Sequence, residues 1–223
     1  MEPIRIFHFS DVLCIWAYIA QIRLDELKTT FQDRVALEYH FVPVFGVARE
    51  KLENRWRDRG GLKGYSDHVH EVVQKFDYIT IHPDIWTKVT PPSSTSCHLF
   101  LHAIQILEAK GLVEQQAFEK AIWAFREAFF TQLANISDRK VQFEIAEELK
   151  LSIAAIQAQI DSGEAYAQLS KDFELVKEHT VTVSPTLIFN EGRQRLNGNV
   201  GYRVIEANIR ELLHNPPGEQ SWC

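Results

Sequence analysis

Ile4-Arg5-Ile6-Phe7-His8-Phe9-Ser10-Asp11-Val12-Leu13-Cys14-Ile15-Trp16-Ala17-Tyr18 is the stretch on which the reading of the whole chain turns. Residues 4–9 carry Ile4, Ile6 and Phe7 and stop at the turn-forming Ser10-Asp11, which predicts a short buried strand. From Ile15 to Phe31 the apolar residues Trp16, Ile19, Ala20, Leu24, Leu27 and Phe31 recur at helical spacing. Cys14 therefore falls at the start of a helix, beside unpaired backbone N–H groups whose dipole favours a thiolate. Val35 to Pro43 reads as a second, largely buried strand. The unit is β-α-β, and a right-handed crossover makes its strands parallel.

After Pro43 the pattern changes. Arg49 to Tyr65 is polar and holds Gly60, Gly61 and Gly64; a helix is expected near Ser66 to Phe76, and Pro83, Pro91 and Pro92 mark loops. Helices are expected near 95–110, 113–130 and 138–150, with one or two more over 151–178 broken near Gly163. From Thr180 the period becomes β-type through Val181, Val183, Leu187, Ile188 and Phe189. Asn190-Glu191-Gly192 then turns the chain into Gln194-Arg195-Leu196, so two antiparallel strands are expected. Gly201 to Leu213 closes the pattern as an amphipathic helix. The order βαβ, helical block, ββα divides the chain into a discontinuous unit of 1–45 and 180–214, an inserted helical domain over 46–179, and a frayed tail over 215–223.

A chain of 223 residues with 45% hydrophobic and 24% charged side chains can bury a sizeable core. Its net charge of −6 argues against a general nucleic-acid-binding role, which needs a basic surface. No apolar stretch is long enough to span a bilayer. Cys14, Cys97 and Cys223 are too few and too scattered for a disulfide scaffold and lack metal-finger spacing. Met1 runs straight into the first strand with no secretory signal pattern, so a reducing, cytoplasmic location is expected.

Cys14 alone is as readily a buried structural cysteine as a nucleophile. The distant Val183-Ser184-Pro185-Thr186 favours the nucleophile, because a proline feeding a hairpin at such a junction is often cis. Together, Ser10 to Tyr18 and Val183 to Thr186 resemble the active-site segment and cis-proline loop of the DsbA-like branch of the thioredoxin superfamily. The resemblance spans nearly the whole chain and implies an α/β thioredoxin fold (βαβ…ββα) with an inserted all-helical domain. In detail the chain is similar to cytoplasmic-type FrnE proteins, 2-hydroxychromene-2-carboxylate isomerases and kappa-class glutathione transferases.

That likeness implies glutathione as a co-substrate, with no permanently bound cofactor. Asn54 and Lys63 would contact it, Val183 would pair with its backbone, and Asn199, opening the last helix where an Asp is common, would receive its γ-glutamyl carboxylate. It also implies small-molecule or protein disulfides as substrates and is compatible with a homodimer. Two positions depart from the family pattern: Ala17 stands where a dithiol enzyme has its second cysteine, and Ile15 replaces the usual proline. The expected activity is thus monothiol thiol–disulfide exchange at Cys14, with Trp16 shaping the rim and Ser184-Pro185 holding substrate. Asp11 either opposes the thiolate or caps the helix start. A glutathione-dependent isomerase or transferase acting on a small aromatic electrophile is the alternative, and a non-enzymatic peptide-binding or chaperone-like module a third.

Other groups read differently. His98 and His102, spaced i, i+4 after Cys97, lie in a packing helix and are expected to be core residues, with no metal site; His68 and His70 are expected to be solvated or capping. Cys97 and Cys223 are weak candidates for a resolving thiol. Arg49 to Arg59 with Lys63 carries an excess of basic side chains able to orient glutathione carboxylates, Lys63 foremost. Trp123, Phe125, Phe129 and Phe130 are core aromatics by default.

Overall fold

A computed structural model describes residues 2–214 of the chain; the tail 215–223, with Cys223, lies outside them. The strands are β1 (Ile4–Ser10), β2 (Val35–Phe41), β3 (Thr186–Phe189) and β4 (Gln194–Asn197). They form one sheet in the order β2-β1-β3-β4. β1 and β2 run parallel, with Ser10 opposite Phe41, and are joined by helix α1 (Ile15–Phe31). β3 is antiparallel to both β1 and β4, with Phe9 opposite Thr186 and Thr186 opposite Asn197. Between β2 and β3 come α2 (Ala48–Arg55), α3 (Gly61–Val73), α4 (Thr95–Ala109), α5 (Ala117–Phe130), α6 (Arg139–Glu148), α7 (Ile153–Asp161) and α8 (Glu164–Glu178); α9 (Tyr202–His214) ends the fold.

β1 is buried along the face of Ile4, Ile6, His8 and Ser10, while the opposite face goes from the exposed Arg5 to the covered Phe9. Ile4 and Ile6 join the main core, whereas Phe9 packs with Val42, Val181 and Ile188 against Leu175 and Val176 of α8. α1 is covered all round over its first turns, through Ile15, Ala17, Tyr18 and Ile19, and then keeps one buried face, Leu24, Leu27 and Phe31, with Ile22, Asp25, Glu26 and Thr29 exposed. Where it is apolar on most sides it needs cover on most sides, and α5 supplies part of it. Phe130 stacks on Tyr18 at 5.1 Å, and Trp123 tilts against the same ring at 5.2 Å. Phe125 meets Phe100 and Phe129 meets Trp86, so the α5 aromatics belong to the core. One apolar cluster runs from the sheet through α1 into the inserted helices.

The polar stretch after Pro43 differs from the expectation. It forms α2, which buries only Ala48 and Leu52, and α3 starts at Gly61, five residues earlier than the apolar pattern suggested. Gly60 at φ 90° makes the corner between them, and Gly64 lies so close to the Arg59 carbonyl that a Cβ would fall 1.7 Å from its oxygen. Composition hides this helix pair because its first member is almost entirely solvated. β3 is likewise shorter than its apolar run: Val181 to Pro185 is irregular and enters the sheet only at Thr186.

Candidate active site

The site is built where β1 ends. Cys14 is the N-cap residue of α1, with extended backbone at φ −85° and ψ 116°, and its carbonyl accepts from Ala17 N and Tyr18 N at 3.1 Å. Its side chain caps nothing and is free to face the loop before β3. There the thiol donates to the Ser184 carbonyl at 3.2 Å, and the Ser184–Pro185 peptide bond is cis. Two segments 170 residues apart in sequence thus meet at the sulfur. Cys14 is only 6% exposed, and burial pushes its thiol above the ordinary cysteine value. The Ser184 contact and the N–H groups of Ala17 and Trp16 pull the other way, while the Asp11 charge adds to the rise. The helix N-terminus therefore does not leave a free thiolate here, contrary to the sequence expectation, because desolvation is the larger effect.

Asp11 holds the loop together. Its backbone N–H donates to Ser184 Oγ at 2.9 Å, and its carboxylate accepts from Leu13 N (2.9 Å), Phe45 N (2.8 Å) and Ser94 Oγ (2.8 Å). It is not the cap of α1, since Cys14 occupies that position; it joins the β1–α1 loop to the segment after β2 and to the start of α4. Burial raises its pKa to about 6 despite those three bonds and the nearby Lys51.

Lys51 on α2 brings a positive charge to the site. Its ammonium donates to the Val44 carbonyl, lies 5.2 Å from the Phe45 ring centroid, and is attracted by Asp11 and Cys14, although burial and Arg55 lower its pKa overall. Tyr65 on α3 is buried, and burial with the charges of Cys14 and Asp11 raises its phenol. On the far side of α1, Arg126 of α5 is fully buried and donates to Gln21 Oε1 at 2.5 Å and to Ser10 Oγ at 3.1 Å.

Of the residues singled out in the sequence, Ile15 and Ala17 are buried packing positions, Trp16 is half-buried against Phe76, and Val183 is 39% exposed beside the cis bond. The glutathione candidates are more dispersed. Lys63 is 74% exposed and pairs with Asp67 on its own helix, and Asn54 accepts from Arg57. Asn199 accepts from Arg23 three residues before α9 begins, so it does not open that helix. Within the basic run it is Lys51, not Lys63, whose charge acts on Cys14 and Asp11. Nothing in the alternation of charges marked it, because only its contacts with the Val44 carbonyl and the Phe45 ring hold it there. Arg126 had a signal: it is the lone cation inside an apolar run from Ala121 to Phe130 that otherwise reads as core.

The remaining candidates are structural. Cys97 donates to the Ile136 carbonyl at 3.0 Å, and burial raises its thiol to about 12, which makes it a poor resolving nucleophile. His98 stacks on Phe41 at 4.4 Å and accepts from Val12 N, while His102 and His40 both meet the buried Asp172. Hydrogen bonds from those two histidines keep the Asp172 carboxyl below its usual range against the opposing effect of burial. His68 lies on Trp56 and His70 contacts the Pro83 carbonyl. Among the described residues no group of three His, Cys, Asp or Glu is arranged to hold a metal ion, and no helix is long and apolar enough to cross a membrane.

A βαβ–ββα sheet with a helical insertion, a cysteine at the start of α1 and a cis-proline loop against its sulfur define a DsbA-like thioredoxin-fold protein. The chain belongs to the DSBA-like thioredoxin domain family, whose model matches residues 5–210. Members of this family are typically thiol–disulfide oxidoreductases or isomerases. The chain is 23% identical over 222 residues to the ClpXP adapter protein SpxH of Bacillus subtilis, covering 97% of this chain and 70% of that one. A solved structure from Nitrosomonas europaea superposes with a TM-score of 0.76 at 13% identity, covering 96% of this chain and all of that one. The cytosolic disulfide reductase DsbM of Pseudomonas aeruginosa, solved with GSH, gives 0.66 at 16% identity over 92% and 99% of the two chains. A 2-hydroxychromene-2-carboxylate isomerase also gives 0.66, at 15% identity over 97% and 100%.

Proposed function

We propose that this protein carries out thiol–disulfide exchange through Cys14 as a single working thiol, coupled to glutathione in the cytoplasm. The carrying observation is the juxtaposition of Cys14 Sγ with the cis Ser184–Pro185 loop while Ala17 occupies the place of a second thiol. The Cys14 thiolate attacks one sulfur of a disulfide, forms a mixed disulfide and releases the other half as a thiolate. Among the described residues no second thiol stands beside Cys14 to resolve it, so the thiolate of reduced glutathione attacks the mixed disulfide and frees Cys14, forming a new disulfide with the substrate half. Val183, exposed beside the cis bond, would offer its backbone N–H to an extended substrate, its carbonyl already accepting from Thr186 Oγ1 at 3.0 Å. The likeness to a disulfide reductase solved with GSH supports this reading.

One observation favours a second reading. Cys14 is a buried thiol whose pKa is raised and which already donates a hydrogen bond. In a glutathione-dependent isomerase or transferase that proton would be donated to the glutathione sulfur, and Cys14 would never be oxidised.

The test is intact-protein mass spectrometry after exposure to oxidised glutathione, comparing wild type with Cys14→Ser, alongside calorimetry with reduced glutathione. A single glutathione adduct that disappears in Cys14→Ser is the expected result. An inert Cys14 with reduced glutathione bound would move the assignment to the isomerase or transferase. Inertness without binding would leave a protein-binding module, a role the SpxH relative, an adapter, makes concrete.

A further inference from the structure

Arg126 is a fully buried guanidinium, and among the described residues no carboxylate lies within ion-pairing distance of it. Its Nη1 and Nη2 are tied to Gln21 on α1 and Ser10 at the end of β1, and its Nε has no partner. A buried charge without a counter-charge is strongly unfavourable. Burial lowers its pKa only to about 10, so it remains a cation at neutral pH. The groups around it narrow what can balance it. His8 on β1 is held neutral, with its pKa down to about 3, and burial keeps the phenols of Tyr18 on α1 and Tyr39 on β2 protonated. The charges of Glu119 and Asp25 reach Tyr39 and that of Glu127 reaches Tyr18, and none of these carboxylates pairs with the guanidinium; Asp11 and Cys14, which belong to the thiol site, both attract it electrostatically. On the other side of the thiol stand Lys51 of α2 and the protonated Tyr65 of α3, and beside Asp11 the neutral His98 of α4. With Cys14 as a thiol the site holds two cations, Arg126 and Lys51, and one carboxylate, Asp11, so ionisation of Cys14 would bring the charges into balance.

We propose that Arg126 is a positioning residue for the thiol site, a fixed buried positive charge behind β1 and α1 whose counter-charges are Asp11 and the Cys14 thiolate. The role rests on the reading of Cys14 as the working thiol. Arg126 touches no substrate; it acts by making the ionised form of Cys14 less unfavourable than burial alone would.

The experiment follows the rate of Cys14 alkylation against pH, assigned by peptide mass spectrometry, in wild type, Arg126→Met, Arg126→Gln and Arg126→Lys. Across several ångströms of protein a unit charge shifts a neighbour's ionisation by about one pH unit. The ionisation midpoint of Cys14 is therefore expected to rise by about one unit in R126M and R126Q, with an approximately tenfold slower reaction below it, and to return towards wild type in R126K. Asp11 titrates in the same field, so the midpoint belongs to the coupled pair. R126Q keeps a donor for Gln21 and Ser10 and serves if R126M does not fold. A folded neutral variant with the wild-type midpoint overturns the proposal, as do equal shifts in R126Q and R126K, which would make shape rather than charge the cause. Failure of both neutral variants to fold beside a folded R126K would assign Arg126 to stability and also overturn it. Glutathione adduct formation is read on the same samples. Its absence in wild type sinks the exchange reading while leaving the midpoint comparison intact, whereas exchange with an unmoved midpoint sinks only the role of Arg126.

Discussion

Asp11 decides the local geometry at the thiol, because one carboxylate ties together three segments that the chain delivers from different directions. Each donor it accepts from is buried, and an unsatisfied buried donor costs about 1–3 kcal/mol. Asp11→Ala should therefore be destabilising, and the size of the effect should depend on pH. The folded pKa of about 6 lies above the ordinary carboxylate value, so the folded protein holds the proton more tightly than the unfolded chain. The ionisation penalty is fully present above pH 6 and is relieved as the pH falls towards 4. Wild type thus gains from Asp11 most at low pH, and D11A should lose about 1 kcal/mol more stability at pH 5 than at pH 8 by urea unfolding. Equal losses at both pH values would mean that the carboxyl titrates normally. At this scale Cys14, Pro185 and the Asp11 loop were legible, because a strand end, a turn and a helix start leave local marks. The partners of Asp11 were not, since Phe45 and Ser94 meet it only after the chain has crossed the sheet twice.

Helix α2 shows how an element changes the meaning of a charge cluster. The run from Arg49 to Arg59 offers several basic side chains, and sequence alone favoured Lys63, which lies beyond it on α3. Because the Lys51 ammonium donates to the Val44 carbonyl and lies over the Phe45 ring, and the Phe45 N–H donates to Asp11, the charge of Lys51 acts on the carboxylate and the thiol, whereas Lys63 is exposed and pairs with Asp67. Lys51→Met should slow glutathione adduct formation at Cys14 by about threefold, a modest effect because a half-exposed charge is partly screened by solvent. Lys63→Met should leave the rate unchanged. Stopped-flow thiol kinetics on the two variants checks the assignment, and a larger effect from Lys63 would reverse it. The βαβ and ββα elements were read correctly because their periods are strong. α2 was missed because a helix burying two side chains has almost no apolar period to detect.

At the scale of the whole molecule, the sheet and the inserted helices share one apolar core, and that core encloses titratable groups that must stay neutral. His8 on β1 and His98 on α4 are fully buried, and desolvation lowers each pKa to about 3. For a histidine the folded value then lies below the unfolded one, so the unfolded chain binds protons that the folded one refuses. Stability from this source is complete above about pH 6.5 and is lost as the pH falls from there towards 3. At pH 5 each histidine withdraws about 2 kcal/mol, against about 1 kcal/mol returned by Asp11, so acidification from pH 7 to 5 should destabilise the protein overall. His8 lines a cavity of about 20 Å³ with Leu24, Leu187 and Ile205, and its Nδ1 has no partner, so a leucine fits the site without stranding a polar group. His8→Leu should therefore remove about half of the histidine-dependent loss between pH 7 and 5, measured as the shift in urea midpoint at the two values. A variant that loses as much as wild type would show that His8 becomes protonated without unfolding the core. This pH response was invisible in the sequence, where His8 is one more residue in a strand. It follows from a topology that places β1 inside the sheet, between β2 and β3, where His8 loses its solvent on the face it shares with Ile4 and Ile6.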